Sequence, residues 1–438
     1  MSSPAPTNNQ SDPSRRDFLR TSTAAVGAAM TAGLALARSA HAAGSDILRV
    51  GLVGCGGRGA GAAVNALNAD QNAKLVALAD VFPDMLNAAR ANLKKEKPEQ
   101  VAVDDDHCFV GFDAYQKVIE CSDVVLLALP TYFHPIYLKA CVDAGKHVFC
   151  EKIHALDAPG VKLLLEAGEI AKQKGLSIVS GLAWRYHTGV RETMQRVLDG
   201  ALGQIVTIEE TCNTGSLRSR HRQPGWSEME YQLRDWYNFN WLAGDLPGLN
   251  MVHNLDKAAW AMREEPPLHA WGMGGRQTRV GREYGDAWDH FAVVYQYADG
   301  TRMYAYCRQQ DGCLTSIADR FTGTKGSCDL LNCRIDGEHK WRYAGPDCNR
   351  FDLEHVALFN AIRQSQPVNN SLYMARSSLL AIMATWVCYT GQLITWDQAL
   401  NSKYVLAPPR LALDADPPTK PDAQGNYSLP HPGLTKFS

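Results

Sequence analysis

The chain carries no excess of charge of either sign: 44 Lys and Arg stand against 46 Asp and Glu, a formal net charge of -2 over 438 residues. That balance argues against nucleic acid and against a polybasic membrane surface, since each needs a cationic face. Small neutral or mildly anionic ligands remain open. The 12 cysteines include no CxxC pair and no zinc-finger spacing, so no metal site is readable in them. Cys121, Cys141, Cys150 and Cys388 lie in apolar runs that read as core. Cys328 and Cys333 are spaced for a local disulfide, the less favoured of their two readings. Internal repeats are absent too.

What is present begins with Gly54-Cys55-Gly56-Gly57-Arg58-Gly59, placed between the apolar run Leu48 to Val53 and a small-residue helical pattern. Strand, glycine turn and helix together make a phosphate cradle. Gly54 permits the tight turn, Gly56 lets backbone approach a pyrophosphate and Gly59 lets the helix pack closely, while the loop, with Gly57 and Arg58 in it, opens the helical pattern from Ala60 to Leu67 whose N-terminal N-H groups face the anion. A second strand-like run, Lys74 to Ala79, ends in Asp80. A carboxylate about twenty residues beyond the last glycine meets the adenosine ribose hydroxyls, which predicts NAD over NADP.

Before this unit, residues 1–45 are polar, then twin-arginine at Arg15-Arg16, then small and apolar from Thr21 to Ala37, with Ala40-His41-Ala42 as a small-x-small cleavage site. The stretch resembles a Tat export signal, so residues 1–42 are expected to be removed and the folded protein to reach the periplasm. Outside the inner membrane no soluble dinucleotide pool is expected. A cofactor there must travel bound and be regenerated on the protein.

The remainder is longer than one typical core and predicts two domains. Continuously apolar runs at Leu48 to Val53, Lys74 to Ala79, Val124 to Leu129 and His147 to Cys150 alternate with helical patterns, which predicts an α/β fold with an N-terminal Rossmann doubly wound parallel sheet over 46–165. From 166 to 405 the texture becomes period-two strands and longer loops, with a hairpin read around Ala298-Asp299-Gly300. This half is expected to be an α+β domain with an open, mostly antiparallel sheet that pairs between subunits as a dimer or tetramer. Asp352 is read as the cap of a helix, and another helix as running near Met374 to Tyr389. After Ala407 the chain holds seven of its 21 prolines, so 406–438 reads as an extended tail.

Several separated signatures complete the picture: the glycine loop, Leu129-Pro130-Thr131-Tyr132-Phe133-His134, Gly145 through Glu151-Lys152, Gly181 to Tyr186, and His253-Asn254-Leu255-Asp256. Over roughly Leu48 to Leu406 the chain resembles the glucose-fructose oxidoreductase and inositol dehydrogenase family (Gfo/Idh/MocA), particularly its exported members. The resemblance implies that Lys152 faces the nicotinamide and binds the reacting hydroxyl or carbonyl, with Glu151 beside it and Pro130 and His134 lining the ring. An ammonium there stabilises developing negative charge, and burial lowers its pKa toward proton exchange. His253 inherits the role of general acid or base, with Asp256 three residues on to orient it or bind substrate. Two positions depart from the pattern: Ile153 replaces the usual proline after the lysine, and Leu249 stands where many members carry an aspartate. Arg185 reads as a ligand for a carboxylate or vicinal hydroxyls, or equally as an interface ion pair. Tyr186 shares its loop. Trp236, Tyr237 and Trp241 suit sugar rings and suit core as well. The basic stretch Arg218 to Arg222 reads as a solvated loop.

Two functions compete on this reading. The first is an exported oxidoreductase with tightly held NAD, moving hydride between carbohydrate-like substrates. The second, also known among relatives, is a redox-neutral glycosidase or lyase that oxidises a sugar transiently, eliminates a substituent and returns the hydride. A binding protein with a degenerate site is a third.

Overall fold

The structure, a computed structural model, describes residues 46–217 and 219–437. The export signal expected at 1–42 and Arg218 lie outside the described residues. Residues 47–438 form one compact unit.

β1 (Leu48–Val53), β2 (Ala73–Asp80), β3 (Cys108–Val110), β4 (Val124–Leu127), β5 (His147–Cys150) and β6 (Ile178–Ser180) make an all-parallel sheet in the order β3-β2-β1-β4-β5-β6. Helices cover both faces, so the strands read as unbroken apolar runs, and Val124, Val125, Leu126 and Leu127 are all fully buried. The order reverses between β1 and β4, and in such sheets the crevice at the strand ends beside that reversal takes the ligand. The boundary expected at 165 falls inside the helix Ala158–Lys174, and the sheet continues through β6. β3 carries too short a run to register as a strand in the sequence. The strand expected to reach Leu129 stops at Leu127, and Ala128, Leu129 and Pro130 form a loop at the end of β4.

The second sheet has nine strands: β7 (Ile205–Thr214), β8 (His269–Gly275), β9 (His290–Gln296), β10 (Arg302–Gln309), β11 (Ser316–Gly323), β12 (Gly326–Asp329), β13 (Arg334–Gly337), β14 (Trp341–Arg342) and β15 (Ile394–Thr395). Their order is β14-β13-β12-β11-β7-β10-β9-β8-β15, antiparallel at every junction except β7 with β10. The expected hairpin is β9 and β10, paired from Gln296↔Arg302 to His290↔Arg308. Ile208, Val293, Tyr295, Met303, Ala305 and Phe321 point to the covered face and are fully buried. Helices Val252–Ala261 and Ser371–Thr390 pack there. On the opposite face Met273 and Tyr306 stand exposed and flank Ala292 across the ladder.

The helix expected to start at Asp352 is Arg350–Arg363, capped by the Asn349 side chain on the N-H of Phe351. Helix Ser371–Thr390 is long and apolar enough to cross a membrane, and it is the buried core helix of this unit. All 12 cysteines are free, Cys328 and Cys333 among them. The tail beyond 406 holds no helix or named strand, folds back at the bridge Pro421↔Tyr427, and packs its Leu411, Leu413, Leu429 and Phe437 on the core.

Candidate active site

The chain leaves β1 into the glycine loop and enters the helix Gly57–Ala69. Gly54 sits at φ +96°, and a Cβ on Gly59 would lie 1.9 Å from the Gly54 carbonyl oxygen, so both positions require glycine. Gly56 and Gly57 have nothing within 4 Å of an added Cβ. Their backbone therefore faces open space, as a pyrophosphate cradle must. A cleft of about 280 Å³ is bounded by this loop, Asp80, Phe82, Met85, Pro130 and, across from them, Arg220 and Leu233 to Tyr237.

Asp80 accepts the N-H of Cys55 at 2.7 Å and that of Phe82 at 2.9 Å, tying the glycine loop to the end of β2. Burial pushes its pKa up from the usual carboxylate value, against those hydrogen bonds. Arg58, which lines the cleft, pairs with Glu151, with Nε to Oε1 at 2.5 Å, and approaches Glu354 at 3.7 Å. Glu151 also lies so close to Gly181 that a Cβ there would meet its Oε2 at 2.8 Å.

Lys152 follows β5, and its peptide bond to Ile153 is cis. Its ammonium donates to the Leu249 carbonyl oxygen. The backbone of Leu249 thus supplies an acceptor at the position where the resemblance leads one to expect a carboxylate. Burial lowers the Lys152 pKa, opposed by Glu151 and Cys212 and reinforced by Arg58. Leu249 belongs to a π-helical turn, Pro247–Met251, which runs into the helix Val252–Ala261 and presents His253; such turns recur at functional sites. Burial holds His253 well below its ordinary pKa, and Lys152 and Lys257 add to the shift. Its Nδ1 is buried with no hydrogen-bond partner. Lys152 and His253 therefore come together as an ammonium with a depressed pKa and a neutral imidazole.

Of the other candidates, His134 and Asp256 are placed differently, while Arg185 and Trp241 take the second of the readings open to them, an ion pair and core. His134 is fully buried, with Nδ1 against the Ile153 carbonyl at 2.6 Å and Nε2 accepting from Leu129 N. It braces the loops carrying Pro130 and Ile153 and does not line the cleft. Arg185 binds Asp256 bidentately, with Nη2 to Oδ1 at 2.8 Å, and Glu264 at 2.7 Å. Asp256 takes a further bond from Ser377. This closed ion pair leaves neither residue aimed at His253 or at a ligand. Tyr186 bonds Asn370. Trp241 is 1% exposed, donates to Gln232 at 2.7 Å and borders a second cavity of about 470 Å³ that contains neither Lys152 nor His253. Arg220, expected in a solvated loop, lines the dinucleotide cleft.

No local pattern signals the charges that surround this centre. Lys257 pairs with Asp319 at 3.0 Å, both 1% exposed or less. Beside them burial and Asp319 raise Glu210 well above the carboxylate range. Their partners come from β7, β11 and the His253 helix, far apart in the chain. Among the described residues, His187, Asp347 and Cys348 are grouped closely enough to suggest a metal. His187 Nδ1, however, accepts the N-H of Val190 as a helix cap, so the neutral ring carries its proton on Nε2, the nitrogen facing Asp347.

Residues 48–179 match the Gfo/Idh/MocA family model, described as the oxidoreductase family, NAD-binding Rossmann fold. The chain is 26% identical over 255 residues to an inositol 2-dehydrogenase of Rhizobium meliloti, covering 58% of this chain and 66% of that protein. It is 32% identical over 214 residues to a glycosyl hydrolase family 109 protein of Shewanella amazonensis, covering 45% and 46%. The matches thus span from under half to just under two thirds of these relatives' length. Among solved structures, scyllo-inositol dehydrogenase from Lactobacillus casei with bound NAD(H) and scyllo-inositol superposes with a TM-score of 0.61 at 20% identity, over 80% of this chain and 100% of that one. The fold is shared, and residues 48–179 are an NAD-binding Rossmann domain.

Proposed function

We propose that the chain is an exported Gfo/Idh/MocA oxidoreductase that retains NAD and acts on a sugar, polyol or sugar derivative. The observation that carries this reading is the meeting of Lys152 and His253 just beyond the carboxyl end of β5, where the lysine is fixed on the Leu249 carbonyl and the imidazole keeps an unpartnered nitrogen. Bound NAD supplies hydride acceptance and return. The protein's part is proton and charge management. Neutral His253 accepts the proton of a substrate hydroxyl, and the Lys152 ammonium stabilises the oxygen as negative charge grows on it. The Leu249 carbonyl fixes the lysine's position, and both residues stay partly exposed, so that a substrate hydroxyl can reach them. Similarity to inositol dehydrogenases supports a polyhydroxylated ring as substrate. The test is turnover of myo-inositol, scyllo-inositol and aldoses by the purified protein, with the reduced cofactor followed spectroscopically.

A second reading is favoured by the 32% identity to a glycosyl hydrolase family 109 protein: redox-neutral cleavage of a glycoside on the same centre. Release of aglycone from a nitrophenyl glycoside with no added cofactor or electron acceptor supports it. Products differing by two electrons support the oxidoreductase. The twin-arginine stretch and Ala40-His41-Ala42 support export and cleavage, tested by sequencing the N-terminus of the periplasmic protein. The open face bearing Met273 and Tyr306 supports pairing between subunits. Tyr306→Glu is expected to shift the light-scattering mass toward the monomer.

A further inference from the structure

The dinucleotide cleft has a second wall that the glycine loop and Asp80 do not account for. The segment from Arg220 to Tyr237 crosses over the cleft, and Leu233, Arg234, Asp235, Trp236 and Tyr237 line it opposite the Rossmann side. Its centre is the helix Glu228–Arg234, capped by Ser227 on the N-H of Glu230. Arg234, the last residue of that helix, spans to the Rossmann side. Nη1 and Nη2 bind the two oxygens of Asp84 at 3.0 and 3.1 Å, and the guanidinium lies 3.8 Å from the ring centre of Phe82. Phe82 and Asp84 directly follow the strand end that carries Asp80. Glu230 fixes Arg234 from behind through Nε at 2.8 Å, and Trp226 stacks on it at 4.9 Å. A bidentate fork held on one side by a carboxylate and between two rings is pre-organised, unlike an ordinary surface lysine pair.

The helix is itself held from outside by the tail. Ser227 donates to the Leu413 carbonyl, Gln232 to the Thr419 carbonyl at 2.7 Å, and Tyr427 to Glu228 at 2.5 Å. Through these contacts the proline-rich tail braces the helix and keeps it seated.

We propose that the helix Glu228–Arg234 is a latch over the adenosine half of the cleft, closed by the Arg234 fork on Asp84 and the face of Phe82 and buttressed by the tail, so that bound dinucleotide leaves only when the fork opens. The cradle fits the dinucleotide, because Gly56 and Gly57 present bare backbone to the cleft and Asp80 stands at its ribose end. The inference rests on the reading of the cleft as an NAD site and deepens it by naming what retains the cofactor. It differs from a contribution to affinity spread over the cleft, since it predicts an effect concentrated on the rate of release.

The experiment is a chase of protein-bound fluorescent etheno-NAD by excess NAD, with the release rate read by stopped flow and the copurified NAD per chain counted after denaturation. Arg234→Ala is expected to raise the release rate about tenfold, equivalent to about 1.4 kcal/mol, and to lower copurified NAD, with the far-UV spectrum unchanged. Asp84→Ala is expected to do the same, and the exchanged pair Arg234→Asp with Asp84→Arg to return most of the retention. Tyr427→Phe, which removes the tail's bond to Glu228, is expected to raise the release rate by less than either. Release from Arg234→Ala and Asp84→Ala at the parent rate overturns the latch while leaving NAD binding intact. A parent that binds no dinucleotide overturns the cleft reading and the latch together.

Discussion

At the ribose end of the cleft Asp80 takes two backbone N-H groups and Arg234 is held by two carboxylates and two rings, whereas at the reacting end His253 Nδ1 and His154 Nδ1 are buried without hydrogen-bond partners. Buried polar atoms are ordinarily satisfied, so a concentration of unsatisfied ones is costly and needs a reason. Binding a cofactor requires a cradle that is already complete. Moving a proton requires groups whose charge state is poised, which burial without a partner achieves. The reacting end accordingly collects the depressed pKa values of Lys152, His154 and His253.

Substitution at the reacting end tests that contrast most severely. Lys152→Ala is expected to cost about 10² to 10⁴ in kcat, the usual range for a positioned proton-transfer group, while bound NAD is retained. His253→Ala is expected to lose less, because Leu249 offers no carboxylate relay for it to serve. Single-turnover rates together with cofactor content check both. Activity within about threefold of the parent in both variants breaks the distinction between the two ends.

The next effects fall at the cradle. Gly59→Ala places a Cβ 1.9 Å from the Gly54 oxygen and is expected to destabilise the fold by roughly 1 to 3 kcal/mol through overpacking. Gly57→Ala meets nothing within 4 Å. Its unfolding midpoint should match the parent, with NAD affinity lowered, because the added methyl points to where the pyrophosphate approaches. Denaturant melts with and without NAD separate the two. Asp80→Ser is the milder change: it removes the carboxylate that repels a 2'-phosphate and is expected to shift the ratio of NAD to NADP affinities about tenfold toward NADP. Titration of apoprotein with each dinucleotide checks it.

What the sequence revealed and what it hid divide along the same line. The glycine loop and Asp80 sit on local patterns, a turn and a strand end, so their places follow from neighbours in the chain, whereas the roles of Lys152 and His253 rest on the family resemblance, a lone histidine being more often structural. Arg185 and Asp256 were visible as charged residues near the site, but that they neutralise each other across 71 residues depends on tertiary packing. The Arg234 fork spans 150 residues and the Lys257 pair joins a helix to β11, and no periodicity or spacing foretells either. His134 shows the converse: its motif is local, yet its ring serves backbone atoms rather than the cleft.

The smallest effect is the most specific. An unperturbed imidazole is half protonated at its ordinary pKa of 6.5, so a catalytic base of that kind loses half its activity there. His253 is held well below that value by burial and by Lys152 and Lys257, so kcat/KM is expected to stay level through that pH and to fall only at more acid pH. On the alkaline side the rate is expected to decline below the ordinary lysine value of 10.5, because Lys152 is lowered and its ammonium is the active form. Unfolding is separable from this limb. Buried His134, at about 4, refuses protons that the unfolded chain takes below 6.5, so its contribution to stability is lost as pH falls. Asp245, raised to about 7, and Asp286, raised to about 6, act in the opposite sense, favouring the native state as pH falls through those values. A kcat/KM profile whose acid midpoint lies at or above 6.5, in protein shown to remain folded, would contradict the neutral-imidazole assignment and return His253 to a structural role.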